Sequence, residues 1–150
     1  MSDISGTLSG VAGEYFVAAE LSRRGFIASI TLRNTRGIDV LASNADASRQ
    51  VAIQVKTNQG DHRKAWVLND KAETYFADNL FYVFVNLKGP GQCPDYYVVT
   101  SKDVAEQVSE SHRVFLGSTS KTGGPHKASA MRMFHDEAKR YLERWELLGL

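Results

Sequence analysis

The hexapeptide "AIQVKT", Ala52 to Thr57, has the alternation of a β-strand with one apolar and one polar face. Successive side chains of a strand point to opposite faces, so Ile53 and Val55 share one face. Gln54 and Lys56 share the other. Polar groups in a buried strand cost free energy unless they are paired or reach water. The pattern predicts that the apolar pair enters the core. It leaves two interpretations for the polar pair, a solvent-facing hairpin edge or a functional site.

The residues before this strand predict a hairpin. "GIDVLAS" (Gly37–Ser43) and "VAIQVKTN" (Val51–Asn58) are strand-like, and the polar "NADASRQ" (Asn44–Gln50) between them is a turn. A connection this short joins antiparallel neighbours. Alternation puts Asp39 on the face opposite to its apolar neighbours, so the hairpin can bring Asp39 close to the polar pair of the next strand. As an alternative, an aspartate near a turn can hydrogen-bond loop amides.

Hydrophobic periodicity, caps and turn residues predict the other elements. In chain order they are a loose arm over residues 1–8, a helix capped by Ser9 that runs to about Arg24, a strand Phe26–Leu32, a strand Ala65–Leu68, a helix near Asp70–Ala77, a fully buried strand Phe81–Leu87, a strand Tyr96–Thr100, a helix over about Lys102–Ser109 capped by Ser101, and an amphipathic helix from Asp136 to about Leu148. Together with the hairpin, this order predicts an α/β fold with a mixed central sheet flanked by helices.

Length and composition limit the class of protein. A chain of 150 residues favours a single domain, residues 1–150. The formal charge of +1 excludes a polybasic nucleic-acid binder, while a local basic surface stays open. The one cysteine, Cys93, excludes a disulfide framework and a cysteine-rich zinc site. Without a leader pattern or an apolar run near the ~18 residues of a membrane span, the sequence predicts a cytoplasmic protein with no membrane contact.

A carboxylate on the first predicted helix can complete a polar site. Glu14 shares its helix face with apolar residues three to seven positions away, so it points along the packed stripe. It is either an edge glutamate that reaches solvent or an inward carboxylate that closes the site formed by Asp39, Gln54 and Lys56. In the second case two carboxylates, an amide oxygen and an ammonium converge. Hard divalent cations such as Mg²⁺ prefer such oxygen ligands.

The sequence resembles the PD-(D/E)XK nuclease superfamily, in particular its Holliday-junction resolvase-like and RecB-like branch. The resemblance lies in three stretches, "GEYFVAAELSRRGF", "GIDVLA" and "IQVKT". The resemblance implies a restriction-endonuclease-like fold and a Mg²⁺- or Mn²⁺-dependent endonuclease that acts on DNA. Carried over by position, it makes Glu14 a metal-associated carboxylate and Asp39 a metal ligand. It makes Gln54 a metal ligand or water-positioning group and Lys56 the catalytic lysine. The backbone carbonyl of Val55 is implied as a further ligand.

One departure from the family pattern affects the implied metal site. Gln54 stands where the family usually has an acid, so the implied metal site has one negative charge fewer. This substitution keeps open a second function, a catalytically inactive nuclease-fold protein that binds nucleic acid or another protein. The resemblance also allows a homodimer, for which the sequence marks no contact face.

Basic side chains surround the proposed site in the sequence. Backbone binding to DNA needs such cations and requires no base contacts. The predicted nucleic-acid-binding residues are Arg33, Arg36, His62, Arg63, Lys64, Lys121 and Lys127, and Arg113 and Arg132 belong to the same acid-free stretch as the last two. The alternative for each cluster is a solvated loop surface. The stretch Gly117–Lys127 is rich in Gly, Ser and Thr and predicts a flexible loop that orders on a substrate or partner.

Overall fold

A computed structural model describes residues 3–32, 36–60 and 64–150. Its helices and strands are α1 Gly6–Arg23, β1 Ile27–Ile30, β2 Val40–Ser43, β3 Gln50–Gln59, β4 Ala65–Asn69, β5 Leu80–Leu87, β6 Asp95–Thr100, α2 Ser101–Gly117 and β7 Met131–His135, with single turns of 3₁₀ helix at Asp70–Glu73 and Trp145–Leu148. In these parts of the chain no helix combines the length and the apolarity that crossing a membrane requires.

The strands form a five-stranded mixed sheet and a separate two-stranded one. The order of the large sheet is β1-β2-β3-β5-β6, and β4 pairs with β7. Within the large sheet only β3 and β5 are parallel to each other, while the hairpin partners β2 and β3 are antiparallel. The mixed sheet with its central hairpin, predicted from the sequence, is therefore confirmed.

The two faces of the large sheet carry two separate hydrophobic cores. Helix α1 packs on the face that carries Ile53 and Val55. Helix α2 and the β4–β7 pair pack on the face that carries Tyr82 and Phe84. Strand β5 contributes alternate residues to both cores and is buried over its first seven residues, as expected for a strand covered on both sides.

Strand pairing assigns the polar residues of β3 to the second face. In the parallel register Gln54 lies beside Tyr82, and Lys56 lies beside Phe84. Side chains at paired positions stand on the same face of a sheet. Gln54 and Lys56 therefore belong to the layer of α2 and the β4–β7 pair, where both are half-buried. The solvent-facing hairpin edge, one of the two interpretations of "AIQVKT", does not describe them.

Helix α1 begins four residues earlier than predicted. Ser5 is its N-cap, and the Ser5 Oγ accepts a hydrogen bond from the Leu8 N–H (3.3 Å). Ser9, the predicted cap, lies inside the helix, where its buried hydroxyl donates to the Gly6 carbonyl (3.0 Å). The loose arm predicted over residues 1–8 is helical from Gly6 onward. The prediction was wrong because two serines in one turn both resemble caps and only packing selects between them.

The predicted C-terminal helix from Asp136 to about Leu148 is absent from the described residues. Lys139 and Glu143 have φ angles of 54° and 56°, which an α-helix does not accommodate. The spacing that resembled a helical stripe has another cause, because Tyr141 packs on the second core while Trp145 packs on the first. The segment therefore passes from one face of the sheet to the other, which a single helix cannot do.

Strand β7 was missed by the sequence analysis. It pairs with β4 in antiparallel register, with Trp66 beside Phe134. The buried Asp136 follows it directly and accepts hydrogen bonds from the Arg140 and Tyr141 N–H groups (both 2.9 Å). These two hydrogen bonds close a turn that ends β7 and begins the C-terminal segment.

Two further helix predictions need correction. The helix predicted near Asp70–Ala77 is a single turn of 3₁₀ helix, Asp70–Glu73. Helix α2 extends to Gly117, and its cap is Thr100, whose Oγ1 accepts from the Asp103 N–H (3.1 Å). Ser101, the predicted cap, instead donates its hydroxyl to the Ala77 carbonyl (3.0 Å) and accepts from the Ala77 N–H (3.1 Å). Both bonds tie the end of the 70–77 segment to α2.

Candidate active site

The carboxylate of Asp39 is bound to the backbone of β3. Asp39 lies just before β2 and is half-buried. Its Oδ2 accepts a hydrogen bond from the Val55 N–H at 2.7 Å, and its own N–H donates to the Ile53 carbonyl at 2.8 Å. The two bonds fix the orientation of the carboxylate against β3. The carboxylate is thus held at the residue that separates Gln54 from Lys56.

Gln54 and Lys56 line a cleft of about 700 Å³ above the second core. The residues that line it are Arg36, Gly37, Gln54, Lys56, Leu68, Asn69, Lys71, Ala72, Thr74, Tyr75 and Tyr82. Three of them are cations and none is acidic. Among the described residues neither Lys56 nor Lys71 forms an ion pair with a carboxylate. The cleft is therefore positively charged and suited to an anion.

Gly37 brings the two walls of the cleft together. Its φ of 59° lies in the left-handed region, which favours glycine. A Cβ at this position would lie 3.1 Å from Tyr75 Cε1 and 3.8 Å from both amide atoms of Gln54. The missing side chain thus leaves room for the Gln54 amide and for the Tyr75 ring at the same point.

The wall opposite β3 is held by an ion pair between a buried arginine and a half-buried glutamate. The 3₁₀ turn Asp70–Glu73 places Ala72 in the second core. Arg132 of β7, 8% exposed, donates through Nε to the Glu73 carboxylate and through Nη1 to the Ser129 carbonyl (2.6 Å). Such a pair fixes geometry, because separating it would leave a buried charge without a partner. Arg132 belongs to the acid-free basic stretch of the sequence, but here it is buried and paired with Glu73.

Tyr82 forms the floor of the cleft as a neutral phenol. It is 1% exposed, and burial, together with the nearby Tyr75, raises the pKa of Tyr82 to about 12. Loss of water disfavours the charged form of any buried phenol. Near neutral pH the floor therefore carries no negative charge that would repel a phosphate.

Glu14 lies on α1, the helix that packs against the other face of the sheet. Its neighbour Gly13 touches β3 at Thr57, the residue after Lys56. Glu14 itself is half-buried and does not line the cleft among the described residues. The structure thus brings α1 to the same stretch of β3, and the role of Glu14 in the site stays a prediction.

The predicted nucleic-acid-binding residues are distributed unevenly. Arg36 lines the cleft, and Lys121 and Lys127 are exposed beyond α2. Lys64 is half-buried, with its Nζ 3.7 Å from Asp95 Oδ2 and 5.8 Å from the centre of the Tyr97 ring. Arg33, His62 and Arg63 lie outside the described residues, and DNA contact by any member of the set stays a prediction.

Two residues of the cleft were not anticipated from the sequence. Lys71 and Tyr75 were assigned to a helix without a function. The available signal was their spacing of four residues in the segment that follows β4. The contact that brings them to β3, between Tyr75 and Gly37, joins positions 38 residues apart and leaves no local trace.

The donors at the site fit a hard cation better than a soft one. The Asp39 carboxylate, the Gln54 amide oxygen and the Val55 carbonyl are all oxygen donors, the type that Mg²⁺ and Mn²⁺ take. Within residues 3–32, 36–60 and 64–150 no three His, Cys, Asp or Glu side chains lie close enough to hold an ion by themselves. A cation here would thus rely on one or two carboxylates and on substrate phosphate, as is usual for Mg²⁺.

The five-stranded mixed sheet with its flanking helices is a restriction-endonuclease-like α/β fold, which two solved structures share. The chain is similar to the Holliday junction resolvase Hjc of Archaeoglobus fulgidus, with a TM-score of 0.51 and 15% identity over 93% of this chain and 95% of that one. It is also similar to a bacterial homing endonuclease, with a TM-score of 0.53 and 15% identity over 97% and 92% of the two chains. No protein-family model and no curated protein matches the sequence. The fold predicted from the short motifs is confirmed.

Proposed function

We propose that the protein is a metal-dependent endonuclease that hydrolyses phosphodiester bonds in DNA. The observation that carries this proposal is the hydrogen bond of the Asp39 carboxylate to the N–H of Val55, the residue between Gln54 and Lys56, whose side chains line a cationic cleft. A fixed carboxylate beside an amide oxygen and an ammonium can hold water and phosphate together. The nuclease-type fold is consistent with this chemistry.

A Mg²⁺ or Mn²⁺ ion would be held by the Asp39 carboxylate, the Gln54 amide oxygen and the Val55 carbonyl. Glu14 would be an additional carboxylate. A bound divalent cation supplies Lewis acidity and lowers the pKa of a bound water. The Val55 N–H fixes one oxygen of Asp39 and so restricts the orientation of the carboxylate. A restricted ligand loses less entropy when it binds, which favours a preorganised site.

The side chains of the cleft carry out the remaining steps of the hydrolysis. Gln54 Oε1 accepts a hydrogen bond from the attacking water and orients it toward the phosphorus. The water oxygen forms the new P–O bond as the P–O bond to the leaving sugar oxygen breaks in line with it. The attacking water releases one proton to solvent, and the leaving oxygen takes up one from solvent. The Lys56 ammonium then stabilises the negative charge that grows on the phosphate oxygens, in a site with no acidic lining residue to oppose it. Arg36 attracts the neighbouring phosphates of the strand.

The direct test measures whether DNA cleavage depends on a divalent cation. Purified protein is incubated with supercoiled plasmid, branched DNA and single-stranded DNA, with Mg²⁺ or Mn²⁺ and then with excess EDTA. We expect nicked or linear products only with free divalent cation, and recovery of activity when Mn²⁺ is restored. Cleavage that persists in EDTA would contradict the proposed metal site.

Replacing Gln54 by glutamate should strengthen metal binding. The added negative charge raises the affinity of an oxygen site for a divalent cation, because ligand charge is one of the factors that tune it. We expect Gln54→Glu to lower the Mn²⁺ concentration for half-maximal activity by about tenfold. Gln50→Glu, on the exposed first residue of the same strand, is the matched control and should leave that concentration unchanged. If both variants lowered the Mn²⁺ concentration equally, the cause would be the added negative charge in general and not a metal ligand at position 54.

A second function is favoured by Gln54 itself and by the lack of a three-acid cluster among the described residues. It is a catalytically inactive nuclease-fold protein that binds nucleic acid or another protein. Calorimetry separates the two functions. Mn²⁺ binding in the millimolar range, with or without DNA, supports the nuclease, and its absence supports the inactive protein. A homodimer and a cytoplasmic setting stay predictions.

A further inference from the structure

We propose that Tyr75 is a stacking platform for an unpaired nucleobase, so that the cleft takes single-stranded or locally unpaired DNA in preference to continuous duplex. The inference deepens the proposed function by naming the class of substrate. It is drawn from the wall of the cleft opposite β3, which the catalytic chemistry does not use.

The ring of Tyr75 is held in place but keeps an open surface. Its hydroxyl lies 3.4 Å from the Arg36 carbonyl, to which it donates, and its backbone N–H donates to the Lys71 carbonyl (2.9 Å). One edge of the ring rests against Gly37, which has no side chain to displace it. The residue is nevertheless 39% exposed. A fixed aromatic ring loses little freedom when a second ring stacks on it, which lowers the cost of binding.

The wall that carries Tyr75 is rigid. Ala72 is buried in the second core, and the buried Arg132 pairs with the half-buried Glu73. Ser101 fixes Ala77 by two hydrogen bonds, 3.0 and 3.1 Å long. The ring therefore stands on a short segment that is attached on both sides.

Cations lie where the phosphates beside such a base would run. Arg36 and Lys71 are both exposed at the cleft, and Lys56 is half-buried within it. Proteins that bind single strands combine aromatic rings with basic groups. The bases stack on the rings, and the charged phosphates of the backbone lie against the basic groups. The cleft volume of about 700 Å³ is within the range of small-molecule sites, roughly 300–1,000 Å³.

A continuous duplex cannot use this platform. Both faces of a base in a duplex are covered by its neighbours, so a side chain reaches a base face only after the base has left the stack. Unstacking costs least where the base is already unpaired. Tyr75 therefore favours substrates with an unpaired nucleotide next to the phosphate that enters the site.

Binding measurements without metal test this inference separately from cleavage. Anisotropy is recorded in EDTA with a fluorescein-labelled single-stranded 20-mer and with the blunt duplex of the same sequence. We expect Tyr75→Ala to weaken single-strand binding roughly tenfold, because one base–aromatic contact is lost. Tyr75→Phe, which keeps the ring, should stay within about threefold of wild type. Neither variant should change duplex binding.

Phe76 provides the matched control. It is the next residue, is 53% exposed and does not line the cleft among the described residues. Phe76→Ala should therefore bind single strands as wild type does, and melting temperatures verify that all variants fold. The inference is overturned if wild type does not bind the single strand, if Tyr75→Ala binds it unchanged, or if duplex binding falls equally.

The two proposals fail in different ways. Metal-dependent cleavage together with unchanged binding by Tyr75→Ala would overturn the stacking platform and leave the nuclease. Binding of single strands that depends on the Tyr75 ring, without cleavage under any metal, would support the platform and overturn the nuclease.

Discussion

Lys56→Ala and Asp39→Asn proteins should keep their fold and lose DNA cleavage by about a hundredfold to a thousandfold. Preorganised charges at a reacting phosphate are usually the largest single contribution to such catalysis, and removal of one costs on the order of 10²–10³ in rate. Lys56 carries the positive charge of β3 in the cleft, and Asp39 carries the negative charge fixed on Val55. Initial rates on plasmid and branched DNA with saturating Mn²⁺ measure the effect.

The choice of substitutions separates chemistry from folding. Asp39→Asn retains an oxygen that can accept the Val55 N–H, whereas Asp39→Ala would leave that amide unpaired at a cost of about 1–3 kcal/mol. Lys102→Ala, on the exposed first turn of α2, removes an equal charge away from the cleft and should retain full activity. Cleavage that survives unchanged in both Lys56→Ala and Asp39→Asn would mean that a contaminating enzyme is cutting.

Gly13→Ala should destabilise the protein by about 3 kcal/mol, the upper end of the usual cost of overpacking a core. A Cβ at Gly13 would lie 1.9 Å from Thr57 Oγ1, with Thr57 Cβ and Cγ2 at 3.1 and 3.3 Å. Because Thr57 is branched at Cβ and sits on β3, α1 must move away from the sheet to relieve the overlap. Urea unfolding followed by circular dichroism measures the change.

Gly10→Ala is the matched control for the same helix. A Cβ at Gly10 meets nothing within 4 Å, so alanine there should stabilise α1 by about 0.5–1 kcal/mol through its better helix propensity. Thr57→Ala removes the atom that overlaps most, and the Gly13→Ala/Thr57→Ala double variant should recover a large part of the lost stability. Similar midpoints for Gly13→Ala and Gly10→Ala would contradict the close packing of α1 on β3.

Local pattern was sufficient wherever a feature depends on neighbours in sequence. The hairpin of β2 and β3 followed from two alternating segments and a short polar turn, and the register confirms it. The burial of β5 followed from its nearly continuous apolar run. The C-terminal segment was predicted wrongly because Tyr141 and Trp145, four residues apart, resembled one helical stripe although they serve different cores.

The sequence by itself determined that Gln54 and Lys56 share a face of β3, because the strand period of two is a local property. It also determined that their apolar neighbours Ile53 and Val55 are buried. Only the tertiary structure decided which layer receives the polar pair and what stands opposite it. That layer depends on the parallel pairing of β3 with β5, and parallel neighbours need a long crossover whose path periodicity does not encode. The crossover brings Tyr75 against Gly37. As a result β3, the strand that contains "AIQVKT", forms one wall of a cleft.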